Sequence, residues 1–116
     1  MAVWKKLLSL ALVLALTLCL GSALAEDKIS IGIVQYVTHN ALDAAREGFI
    51  AALKDNGYVD GENISLDIQN AQADQSNLST IADRFVANNV SLVLAIATPA
   101  AQAIAGKTTE IPILGT

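Results

Sequence analysis

The side chains with the most direct catalytic potential are few. The chain holds one histidine, His39, and one cysteine, Cys19. A catalytic histidine needs a nucleophile or a metal beside it. No second histidine, no G-x-S-x-G elbow and no phosphate-cradling G-x-G-x-x-G or G-x-x-x-x-G-K run is present. The carboxylates are spread one per turn or loop, without the clustering that a metal site needs. Neither a catalytic residue nor a cofactor nor a metal is therefore expected. Two short runs suit ligand binding instead. Tyr36, Val37, Thr38 and His39 follow one apolar stretch, and Thr98, Pro99 and Ala100 follow another. Both lead into helix starts, where N–H groups and the positive dipole end favour an anion such as a carboxylate. Thr98 adds a hydroxyl, the N–H groups of Ala100 and Ala101 are expected to face the ligand, and Tyr36 offers a flat apolar face. Plainer readings stand beside these. Thr98 caps a helix, and His39 starts one through polar contacts.

The elements that must position these runs follow from periodicity. Ile29, Ile31, Ile33 and Val34 predict a strand over 28–35. Leu42, Ala45, Phe49 and Leu53 recur at helical spacing and predict a helix over 40–56, stopped by Gly57. Ile64, Leu66 and Ile68 alternate with polar residues, which reads as a strand with one wet face. Asp74 caps a second helix whose apolar face carries Leu78, Ile81, Ala82, Phe85 and Val86, and Asn88-Asn89 closes it. The unbroken apolar run 92–97 reads as a strand buried on both faces. Thr98-Pro99 opens a third helix that ends at Gly106. Residues 111–114 form a fourth strand. Such β-α alternation predicts an α/β fold, a doubly wound parallel sheet in the order 2-1-3-4. The two ligand runs then meet at the switch point between strands 1 and 3. Doubly wound domains usually carry more than four strands, so a truncated chain is expected.

The composition of 53% apolar residues, with seven Lys/Arg against eleven Asp/Glu, mixes two segments. Lys5 and Lys6 precede an apolar run from Leu7 to Leu20, and Ala23-Leu24-Ala25 follows. This is the layout of a signal peptide over 1–25, cut after Ala25. The 19 residues Leu7–Ala25 could also just span a bilayer core, which keeps a membrane anchor open. Leu18 before Cys19 fits a lipoprotein box poorly. Removing the two leading lysines leaves five basic residues against eleven acidic ones, net −6. With no basic patch, nucleic acid is not an expected partner. The protein is expected to be exported, to the periplasm or the extracellular face of the cytoplasmic membrane.

Several stretches resemble one family. Residues 35–49, Gln35-Tyr36-Val37-Thr38-His39-Asn40-Ala41-Leu42-Asp43 through Phe49, are similar to the opening of ABC-transporter substrate-binding proteins of the tryptophan/tyrosine type. So are 57–63, 71–78, the run Ala97-Thr98-Pro99-Ala100-Ala101-Gln102-Ala103, and Ile111-Pro112-Ile113. Asn40 departs from the proline usual in the family. The resemblance covers the chain from about Lys28 to Thr116. It implies a type 1 periplasmic-binding-protein-like fold of two lobes, with 26–116 as the N-terminal part of lobe 1. It also implies a small amino-acid-like ligand, an aromatic one among them, held between the lobes and passed to an ABC permease in the membrane. The first-lobe contacts would be Tyr36, Thr38, His39, Thr98, Pro99 and Ala100. The residues alone leave other readings open: an exported flavodoxin-like enzyme, or an exported or membrane-anchored sensor domain without a transport role. A regulator of the same fold would carry a helix-turn-helix in place of the signal segment.

Overall fold

A computed structural model describes residues 28–116. The expected signal segment 1–25, with Cys19 and the A-x-A site, lies outside the described residues. The elements are β1 (Ile29–Gln35), α1 (Asn40–Asp55), β2 (Ile64–Asn70), α2 (Gln75–Ala87), β3 (Leu92–Ile96), α3 (Thr98–Ala105) and β4 (Ile113–Gly115). All strand pairs are parallel, in the order β2-β1-β3-β4. The expected topology is the one observed. Helices lie on both faces, α1 on one and α2 and α3 on the other, as a sheet that grows in both directions from β1 requires when its crossovers share one hand.

The helix ends follow the local chemistry. Asp74 Oδ1 accepts from the N–H groups of Ser76 (2.8 Å) and Asn77 (3.0 Å) and so starts α2. Gly57 takes φ +89° after α1. Its N–H donates to the Lys54 carbonyl and that of Tyr58 to the Leu53 carbonyl, a Schellman closure. Asn89, at φ +50°, closes α2 in the same way through the Val86 and Phe85 carbonyls.

Two apolar layers sandwich the sheet. On one face Ile31, Ile33, Ile64, Leu94 and Ile96 lie under α1. On the other, Val34, Val93 and Ala95 pack with Leu78, Phe85 and Ile104 of α2 and α3. β3 is buried along nearly its whole length, as its unbroken apolar run requires. β2 departs from its alternation. Ile64 is buried, but Ile68 is 45% exposed. The reason is coverage: α1 packs over β1 and β3, and β2 lies at the sheet edge.

Two strand limits also shift. β3 ends at Ile96, because Ala97 turns to φ +85° and leaves the pleat. β4 starts at Ile113, because Pro112 has no N–H for the ladder; only its carbonyl takes part, accepting from Val93 at 3.0 Å. Among the described residues no helix is long and apolar enough to cross a membrane.

Candidate functional site

The carboxyl ends of the central strands bring the two ligand runs together. Gln35 pairs in register with Ile96. The Tyr36 N–H donates to the Ile96 carbonyl at 3.2 Å, so the loops after β1 and β3 leave the sheet side by side. A third loop joins them, which the sequence reading did not assign to the site. The Ala73 N–H donates to the Tyr36 carbonyl (2.8 Å), and Asn70 Nδ2 donates to Thr38 Oγ1 (3.1 Å). Residues 71–74 therefore lie along the β1–α1 loop. Their signal was the short link between the end of β2 at Asn70 and the cap at Asp74.

The expected residues fall into distinct roles. Tyr36 is half-buried, with its side chain against the core of the α2–α3 face. Thr38 is exposed and held by Asn70. His39 is exposed and is the N-cap of α1; its Nδ1 accepts from the Ala41 N–H at 3.1 Å. That bond places the ring proton on Nε2. Thr98 is exposed, and Pro99 half-buried behind it.

The α3 start differs from expectation in three respects. Its N-cap is Ala97, with no side-chain cap, so Thr98 is the first helical residue rather than the cap. The N–H groups of Ala100 and Ala101 do not face a ligand: both donate to the Ala97 carbonyl, at 3.1 and 3.2 Å. Ala100 is fully buried in the core. Pro99 has no N–H, which leaves that of Thr98 as the backbone donor the helix does not use.

Ala97 itself is the surprise. At φ +85° and ψ 151° it occupies a region that is essentially glycine's. Such strain is of the order of 1–3 kcal/mol and concentrates at functional sites. Nothing in an apolar run ending in alanine announces it. The strain sets the direction in which Thr98 leaves the sheet.

A cavity of about 260 Å³ opens nearby, lined by Gln69, Asn70, Gln72, Asn77, Thr80 and Ile81. It lies between the end of β2 and the first turns of α2, at the sheet edge rather than over the switch point. Gln72 and Ala73 beside it take φ +53° and +59°. Among the described residues no three His, Cys, Asp or Glu side chains cluster as a metal set.

Comparison with known proteins decides what this rim belongs to. The family model of ABC transporter substrate binding proteins matches residues 30–116. The chain belongs to that family. It is 48% identical over 92 residues to a tyrosine-binding protein of Clostridioides difficile, covering 79% of this chain and 27% of that protein. Two of the solved structures that share the fold are informative. One is a ligand-free, open substrate-binding protein with adhesive properties from Clostridium difficile, 51% identical with a TM-score of 0.73, covering 74% of this chain and 29% of that one. The other is an ABC domain in complex with L-Trp from Streptococcus pneumonia, 38% identical with a TM-score of 0.72, covering 76% and 30%. The chain spans less than a third of the length of these relatives.

Proposed function

We propose that the protein is the extracytoplasmic solute-binding component of an ABC importer, and that its ligand is an amino acid with an aromatic side chain. Residues 26–116 form the opening part of the first of two lobes, and the ligand sits between the lobes. The observation that carries this reading is the meeting of the β1–α1 and β3–α3 loops at the switch point, in a chain 48% identical to a tyrosine-binding protein. The L-Trp complex of a second relative supports the aromatic class. Thr98, through its hydroxyl and N–H, suits the ligand carboxylate at the positive end of α3. Thr38 and His39 suit its remaining polar groups, and Tyr36 and Pro99 provide apolar surface. Ala100 is fully buried in the core and supports this turn from within. Delivery to a membrane permease completes the role. The sensor and enzyme readings lack support of this kind.

The test is calorimetry on the product of the complete reading frame, with L-tyrosine, L-tryptophan and L-alanine. Micromolar binding of an aromatic amino acid, with alanine much weaker, is the expected result. Failure of both aromatic ligands would overturn the ligand class. A frame that stops at Thr116 would overturn the two-lobed receptor.

A further inference from the structure

We infer that Gln35, Asp43 and Arg46 form a positioning network that pre-sets the β1–α1 loop for ligand capture; the inference rests on the receptor reading above. Among the described residues Gln35 is the one fully buried polar side chain. It ends β1 in alternation with Ile31 and Ile33 and so points to the α1 face. Asp43 and Arg46, three residues apart, share one side of α1 and are half-buried there.

The whole amide is engaged. Gln35 Nε2 donates to Asp43 Oδ1 (2.6 Å) and to the Val37 carbonyl (2.8 Å). Gln35 Oε1 accepts from Arg46 Nη1 (2.6 Å). Arg46 Nη1 also lies 3.5 Å from Asp43 Oδ1, which closes the triangle. A carboxylate only accepts and a guanidinium only donates, so the amide has one permitted orientation. The position needs a donor and an acceptor on one planar group. A leucine there supplies neither, and a glutamate sets a second negative charge against Asp43.

One side chain thus ties the end of β1, the middle of the loop and the first turn of α1. Val37, whose carbonyl it holds, stands between Tyr36 and Thr38. His39 clamps the same loop from the outside by capping Ala41. A loop ordered before the ligand arrives loses little freedom on binding, which favours affinity. Gln35 is buried, so it acts through the loop and not by contact.

The test compares wild type, Gln35→Glu and the double variant Gln35→Glu with Asp43→Asn, in the product of the complete reading frame. In the double variant the new amide donates to the new carboxylate and Arg46 keeps its partner, but the Val37 carbonyl has lost its side-chain donor, because a carboxylate only accepts. Calorimetry with L-tyrosine and L-tryptophan is read beside amide exchange at residues 37–41 and the urea midpoint. The single substitution is expected to weaken binding about tenfold or more and to speed exchange. The double variant is expected to regain the wild-type urea midpoint, because the charge conflict is gone, yet to keep most of the affinity loss and the faster exchange, because the Val37 carbonyl stays unheld. Wild-type affinity and exchange in the single variant would overturn the network. So would affinity and exchange that return to wild type together with stability in the double variant, because a merely structural role predicts that. If wild type binds neither amino acid, the receptor reading fails on its own. Exchange then decides the network: faster than wild type in both variants supports it, and wild-type rates in either overturn it.

Discussion

Gly32 shows how closely one residue is specified. A Cβ built there would lie 2.8 Å from Phe85 Cδ2, and Phe85 is fully buried. The ring lies over bare backbone and has no room to withdraw. Gly32→Ala is therefore expected to destabilise the protein by about 1–3 kcal/mol, read as a shift of the urea midpoint. An unchanged midpoint would mean that α2 can slide. Ala97 presents the opposite case. Its φ of +85° strains an alanine but suits glycine. Ala97→Gly is expected to raise stability by about 1 kcal/mol, the strain relief exceeding the added chain entropy of glycine. A loss of stability would show that the methyl group packs better than the strain costs. The two residues differ in legibility. Gly32 is visible in the sequence as a small residue inside an apolar strand, although its partner is not. Ala97 carried no mark, because its conformation is imposed by the link between β3 and α3. Gln35 closes the predicted strand, and a polar residue at a strand end gives no sign that it will be buried. Its partners come from α1 only after the helix has docked on the sheet.

At the scale of elements, caps and periodicity were the readable part. His39, Asp74, Gly57 and Asn89 mark helix ends by mechanisms that act within a few residues. The shifted limits of β3 and β4 and the buried Ala100 depend instead on neighbours distant in sequence. Asp74 yields a pH-dependent prediction. Donation from the Ser76 hydroxyl, then from the Asn77 and Ser76 N–H groups, favours its charged form and holds its pKa below the ordinary aspartate value. The folded protein then holds this proton less readily than the unfolded chain does. The cap contribution is full above the ordinary aspartate range and is lost as pH falls through the lowered value. Wild type should accordingly exceed Asp74→Ala in urea midpoint at neutral pH. That gap should narrow as the pH is taken below the aspartate range. A gap constant with pH would show that the cap acts without its charge.

For the whole molecule, the alternation of strands and helices was enough to bring the two candidate loops together. Parallel order 2-1-3-4 puts the loops after β1 and β3 together before any side chain is considered. What alternation could not show is how much of a ligand one set of loops can enclose. Thr38, His39 and Thr98 are all exposed on an open rim. The α1 face is also only partly covered: α1 has no fully buried residue, and Leu114 is 49% exposed. Small-molecule sites commonly bury about 70–90% of the ligand surface. A single rim touches an amino acid from one side and leaves the other in water, so the ordering cost is met with half the contacts. Relatives of which this chain covers less than a third have the additional chain to supply the second side. Residues 28–116 alone are therefore expected to bind L-tyrosine and L-tryptophan no better than about millimolar, against micromolar for the product of the complete reading frame under the two-lobed proposal. Calorimetry on the two forms side by side measures the difference directly. It would also separate closure from contact, because hinge closure around a ligand requires both lobes. Micromolar binding by residues 28–116 alone would mean that this rim, with its strained Ala97 and its pinned loop, encloses the ligand without a second lobe.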